Sequence, residues 1–298
     1  MQRKIFLTIP LVASLALASC KGGDHAENSD DLTVADTAKV ETSEKTTNDE
    51  TFFQVPSPGE MLSFIKMVGG KNNKNVSFLN SPENQKNYID NKMKALNFGV
   101  YTTDLSYCSI FEIGSEALKY FKTVKQLGDE IGVSSAIKPE ILKRLEKNVG
   151  NPDSLSAITD EVYFSSFETL ETGKQGPVLS LVVAGGWIES LYIATNLAKF
   201  EPKSPVVERL ADQKYTLDNL MEFLKKYESD SNVASVISQF TELQSEFNKI
   251  GEKDVTSTTQ NKSKHVLGGG KELDITADQY KSIVEKVKSI RNSFTLTK

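Results

Sequence analysis

Gly176-Pro177-Val178-Leu179-Ser180-Leu181-Val182-Val183-Ala184-Gly185-Gly186-Trp187-Ile188-Glu189-Ser190-Leu191-Tyr192-Ile193-Ala194-Thr195-Asn196-Leu197-Ala198 is the most apolar stretch beyond the N-terminal twenty residues. The 21 residues from Val178 to Ala198 are long enough to cross a bilayer as a helix, which needs about 20. Gly185, Gly186, Glu189, Thr195 and Asn196 interrupt the run and argue against a span. The β-branched pair Val182-Val183 is tolerable in a helix enclosed by protein. The stretch therefore reads as the core helix of a folded body, with Gly176-Pro177 at its start.

A second segment has the same character. Ser81-Pro82-Glu83 is a cap with proline at the first helical position, and it opens a long run. The apolar residues from Tyr88 through Leu96, Phe98, Tyr101, Leu105, Tyr107, Cys108, Ile110 and Phe111 to Ile131 fill more than one helical stripe. A helix of this kind, or a pair broken near Ser106 to Ser109, must be covered on several sides and lie centrally.

The remaining chain is punctuated into amphipathic helices. Ser57-Pro58-Gly59-Glu60 starts one, Pro139 another, Asn151-Pro152 a third and Ser204-Pro205 a fourth. Thr216 caps a further helix, Val233 to Ile250 forms the next, and Thr276-Ala277-Asp278-Gln279 is a capping box leading into Tyr280, Ile283, Val287, Ile290 and Phe294. Residues 251–271 read as a polar loop, and no period-two strand stands out between residues 51 and 298. The expectation is an all-α fold, a single multi-helix bundle of roughly eight to ten helices over residues 51–298. Gly99-Val100-Tyr101-Thr102-Thr103-Asp104-Leu105 and Gly185-Gly186-Trp187-Ile188-Glu189-Ser190-Leu191 share a glycine, aromatic and leucine frame 86 residues apart. That echo suggests two helical units about a pseudo-twofold axis.

The N-terminus is of another kind. Arg3 and Lys4 precede an apolar run from Ile5 to Leu17, about 20 Å of helix against the ~30 Å of a hydrocarbon core. It is a targeting segment rather than a span. Leu17-Ala18-Ser19-Cys20 resembles the lipobox of bacterial lipoproteins. The resemblance implies a signal peptide over residues 1–19, diacylation of the Cys20 thiol and cleavage before it. Two acyl chains anchor stably where one holds marginally.

Residues 20–50 then read as a lipidated cysteine and a disordered acidic tether. After Cys20 they hold nine Asp or Glu, three Lys and no aromatic residue, too little apolar surface to offset the entropy of ordering. A flexible chain of this length spans about 30 Å. The full chain carries a formal charge of −5 and these residues alone −6 (three minus nine), so the acidity belongs to the tether and nothing builds a basic face for nucleic acid. Acidic residues soon after the cysteine resemble the surface-export signal of Bacteroidota lipoproteins, although Lys21 and two glycines precede Asp24. Asp36-Thr37-Ala38 and Asp153-Ser154-Leu155 resemble the O-glycosylation sites of that phylum, with Thr37 and Ser154 as acceptors.

Few residues could carry chemistry. The two histidines, His25 and His265, lack metal-ligand spacing, so no metal and no cofactor are expected. Lipidation would consume Cys20 and leave Cys108 unpaired among apolar neighbours, as small core filling. Gly268-Gly269-Gly270-Lys271 lacks the spacing and following hydroxyl of a phosphate loop. What remains are carboxylates on apolar helices: Asp104, Glu112 and Glu189. Buried carboxylates must be paired, hydrogen-bonded or neutralised. They either bond to tyrosines or a loop amide and fix helix register, or join Tyr101, Tyr107, Trp187 and Tyr192 in an aromatic-rimmed pocket for a small polar or cationic ligand.

The stretch Lys94 to Cys108, with Glu116-Ala117-Leu118-Lys119-Tyr120-Phe121, resembles all-helical lipoproteins of the Bacteroidota. This implies a helical fold and a lipid anchor in the cell envelope, at the outer membrane, on its periplasmic or outer face; it supplies no activity. The expected function is a non-catalytic envelope lipoprotein, held to the membrane through Cys20, that binds an envelope protein or a small ligand. The alternative is an envelope hydrolase or accessory enzyme using Asp104 and Glu112 as an acid/base pair.

Overall fold

The computed structural model describes residues 57–69, 73–255 and 270–296. The expected signal peptide, Cys20, the tether with Thr37, and both histidines lie outside the described residues. Ten α-helices occur among the described residues: α1 Pro58–Val68, α2 Asn91–Ile110, α3 Gly114–Ile131, α4 Pro139–Lys147, α5 Pro152–Thr172, α6 Gly176–Leu197, α7 Pro205–Ala211, α8 Gln213–Lys225, α9 Ser231–Phe247 and α10 Ala277–Thr295. A 3₁₀ turn, Pro82–Asn87, precedes α2, and strands β1 Gly251–Val255 and β2 Gly270–Asp274 precede α10. The fold is all-α.

The two least amphipathic helices are the centre. Every residue of α2 from Ala95 to Ile110 is buried, and α6 is buried from Leu179 through Leu191. With protein on every side, the length and hydropathy that would let α6 cross a membrane are spent on the core. α2 and α6 pack chiefly on each other, and α1, α3, α5 and α10 surround them.

Glycine permits this close crossing. A Cβ on Gly99 would lie 2.1 Å from the Val182 carbonyl oxygen, and one on Gly185 would lie 2.0 Å from that of Leu96. The two contacts are reciprocal: a shift of 86 residues turns Gly99 into Gly185 and Leu96 into Val182. The crossing is thus locally two-fold, in the frame of the sequence echo.

Helix starts follow side-chain capping, which satisfies backbone N–H groups that lack intrahelical partners. Ser57 accepts from Glu60, Asn151 from Ser154, Ser204 from Val207, and Thr276 forms a reciprocal box with Gln279. Four sequence expectations are corrected. Thr216 lies inside α8, whose N-cap position is Asp212, rather than capping it. Ser81 caps the 3₁₀ turn rather than the long helix, and Asp90 caps α2 by accepting from Met93 at 2.8 Å.

The break after α2 falls at Phe111–Ile113, not Ser106–Ser109. There the Ile113 N–H donates to the Cys108 carbonyl at 2.8 Å and that of Glu112 to Ser109 at 3.3 Å. This pair of bonds closes a helix with its next residue left-handed. Glu112 takes that place at φ 64°, where glycine would have marked the stop.

Residues 251–255 and 270–274 form an antiparallel pair, Gly251 opposite Asp274 and Lys253 opposite Glu272. The sequence reads residues 251–271 as a loop and offers no strand here. Gly251-Glu252-Lys253-Asp254-Val255 and Gly270-Lys271-Glu272-Leu273-Asp274 hold two apolar residues between them, Val255 and Leu273, so no apolar alternation marks them in the sequence.

Candidate functional site

Asp104 on α2, Glu189 on α6 and Arg291 on α10 meet where these helices converge. Asp104 and Glu189 are fully buried, and Arg291 is 3% exposed. The guanidinium grips Glu189 with two bonds, Nε to Oε2 at 2.8 Å and Nη2 to Oε1 at 3.0 Å. Its central carbon, Cζ, lies 4.5 Å from the centre of the Tyr192 ring, a cation–π contact strengthened by exclusion of water. Burial opposes the charge on Arg291, but Glu189 and then Asp104 outweigh it and hold the guanidinium firmly protonated.

Asp104 Oδ2 accepts from the Asn80 backbone N–H at 3.2 Å. Its Oδ1 has no protein N–H or hydroxyl donor, and the side chain is within hydrogen-bonding reach of Glu189. Burial, then the charge of Glu189, pushes the Asp104 pKa well above the carboxylate range. A protonated Asp104 gives the second oxygen a partner by donating to Glu189.

Amide and phenol groups extend the network. The Asn80 side chain donates to Tyr88 Oη at 2.9 Å and to Asn97 Oδ1 at 3.3 Å. Asn97 donates to the carbonyl of Phe294 at 2.8 Å, and Tyr88 to that of Thr295 at 3.2 Å. The last carbonyls of α10, which have no partner within the helix, are thus bonded to α2 and the segment before it.

The expected pocket residues do not share a cavity. Asp104, Glu189 and, through Arg291, Tyr192 belong to one cluster. Tyr101 lies beside it, with its hydroxyl on the Ser81 carbonyl at 2.8 Å and its ring near those of Tyr88 and Tyr120. Tyr107, three residues beyond Asp104 on α2, is bonded elsewhere, its hydroxyl on the carbonyls of Asn73 and Asn75. Trp187 donates to Gln213 Oε1 at 3.2 Å and sets its ring edge-on to Phe240. Glu112 projects from the surface to Lys66 at 2.9 Å, which holds its carboxylate below the usual pKa. The expected rim is dispersed because Tyr101, Tyr107, Trp187 and Glu112 each bond to a different partner.

An open groove of about 460 Å³ lies elsewhere, lined by Ser63, Lys66, Met67, Ile110, Glu112, Pro152, Asp153 and Ser156. Only Glu112 of the expected set reaches it. Ser154 sits in the first turn of α5, its N–H held by Asn151 at 3.1 Å. Cys108 is free and buried, with its thiol pKa raised by burial. No group of three or more His, Cys, Asp or Glu that could hold a metal occurs among the described residues.

Sequence reasoning missed Arg291, Asn80, Asn97 and Tyr88 as members of the cluster. Arg291 did leave a trace: it follows Val287 by four residues and precedes Phe294 by three, placing a charge on the apolar face of α10. Comparison of the chain with protein-family models, with curated proteins and with solved structures finds no match.

Proposed function

We propose that this is a lipid-anchored envelope protein whose helical body binds a partner protein or small ligand without catalysis. The observation carrying the non-catalytic reading is the placement of the two acids that the hydrolase alternative needs. Paired acids in hydrolases face one substrate across roughly 5–10 Å, whereas Asp104 is sealed in the core and Glu112 stands in a surface ion pair. The groove beside Lys66 and Met67 supports binding: its volume of about 460 Å³ is that of small-molecule sites, roughly 300–1,000 Å³. Anchoring rests on the lipobox around Cys20.

Two measurements test the proposal. Mass spectrometry of the mature N-terminus should find diacylated Cys20, and an unmodified cysteine refutes the anchor. Photo-crosslinking from position 67 in intact cells should yield a saturable adduct that Ser156→Arg, which fills the groove, removes. An adduct indifferent to Ser156→Arg refutes the groove as the binding place.

A further inference from the structure

We propose that Asp104, Glu189 and Arg291 form a single-proton clasp, in which one proton shared by the two carboxyl groups holds α10 against α2 and α6 and its loss loosens α10. This goes beyond the binding reading and does not depend on it. The geometry requires the proton. Asp104 and Glu189 are both buried, with the Asp104 side chain within hydrogen-bonding reach of Glu189, one oxygen of Asp104 has no protein N–H or hydroxyl donor, and the Arg291 guanidinium is bonded to Glu189. With one proton the three groups sum to zero charge; without it they leave an uncompensated negative charge in the core, which is costly.

The other titratable groups around Asp104 do not alter the balance. Tyr101 and Cys108 come from α2, Tyr120 and Glu116 from α3, Tyr192 from α6 and Tyr88 from the end of the 3₁₀ turn. Burial raises Tyr88, Tyr101, Tyr120 and Cys108 and keeps them neutral. Glu116 is bonded to Lys119 at 2.8 Å outside the cluster. The clasp also governs more than its own three groups, since Asn97 and Tyr88 hold the Phe294 and Thr295 carbonyls in the same network.

The sign follows from linkage. An acid whose pKa is higher in the folded state stabilises it fully below its unfolded value, about 3.9 for Asp, and this contribution is lost as pH rises toward the folded value. One proton of difference changes the folding constant by about tenfold per pH unit within that window.

The test uses the intact chain. Infrared spectra at neutral pH should show a protonated-carboxyl carbonyl band that Asp104→Asn removes, above any background from Asp160 and Asp212, whose pKa values burial also raises. Hydrogen exchange in α10 should accelerate as that band titrates away, and Asp104→Asn should flatten the accompanying fall in stability. Glu189→Gln, which leaves one carboxyl group for Arg291, should remove the band as well by letting Asp104 ionise. A wild-type spectrum lacking the band at neutral pH, or α10 exchange that ignores its titration, overturns the proposal without any variant having to fold. An unchanged pH slope in Asp104→Asn does the same.

Discussion

Replacing Gly99 with alanine drives a methyl group into the backbone of α6. The new carbon would lie 2.1 Å from the Val182 carbonyl oxygen and 2.6 Å from the Gly186 nitrogen. Reaching ordinary contact near 3.4 Å requires the helices to part by about 1.3 Å, because the obstructing atoms belong to a rigid helix. Overpacking costs about 1–3 kcal/mol where neighbours can adjust. Backbone cannot, so about 3 kcal/mol or more is expected, less the ~1 kcal/mol by which alanine favours a helix over glycine. The net loss of at least about 2 kcal/mol lowers the folding constant roughly thirtyfold.

Urea unfolding followed by fluorescence of Trp187, the one tryptophan in the chain and 4% exposed, measures this directly. Gly185→Ala should behave alike, whereas a Cβ on the adjacent Gly186 meets nothing closer than 3.4 Å and should be neutral or mildly stabilising. The double variant Gly99→Ala/Gly185→Ala should cost less than the sum, since parting the helices once relieves both contacts. A Gly99→Ala protein within about 0.5 kcal/mol of wild type, inside the usual range for uninvolved surface positions, would refute the crossing.

Three further outcomes are expected. Arg291→Met leaves two carboxyl groups without their cation and should cost about 3–5 kcal/mol in denaturant titration; a loss below about 1 kcal/mol would show that the cluster is not dry. Asn97→Leu strands the Phe294 carbonyl and should cost about 1–3 kcal/mol, with faster hydrogen exchange confined to the end of α10. Glu112→Gln should melt with the wild type at neutral pH because its ion pair with Lys66 is solvated. Any stability from the lowered pKa of Glu112 is present above the ordinary carboxylate range and lost on acidification, so a variant melting far below wild type at neutral pH contradicts the surface placement.

The fold was legible where burial leaves a mark on composition. Apolar residues around more than one face of α2 predicted a central helix, and Gly185, Gly186 and Glu189 separated α6 from a membrane span. The caps at Ser57, Asn151, Ser204 and Thr276 were legible because a short polar side chain before a helix has one economical use. The stop after α2 was hidden because Glu112, rather than glycine, occupies the left-handed position and backbone bonds from Glu112 and Ile113 close the helix. The strands were hidden because both faces carry charge and only register joins Gly251–Val255 to Gly270–Asp274.

For the site, the type of problem was legible and its solution was not. Asp104 and Glu189 were identifiable as acids on apolar helices, yet their partner Arg291 comes from α10, about a hundred residues beyond Glu189 in the sequence. Asn80 comes from just before the Ser81 cap and Tyr88 from the run read as the start of the long helix. Sequence pattern shows which groups need neutralising; pairing depends on which helices cross, which the local pattern does not encode.

The glycine crossing and the buried clasp are neighbouring parts of one arrangement. Gly99 precedes Asp104 by five residues and Gly185 precedes Glu189 by four, so each acid lies about 6–8 Å along its helix from its contact glycine. The backbone contact sets the distance between α2 and α6, and that distance decides whether Asp104 can share a proton with Glu189. Arg291 then adds α10 only to a pair already brought together. Parting the helices at Gly99 should therefore weaken the proton sharing as well as the packing, giving Gly99→Ala and Asp104→Asn a coupling energy of about 0.5–3 kcal/mol. Independent costs would mean that the clasp holds its geometry without the crossing.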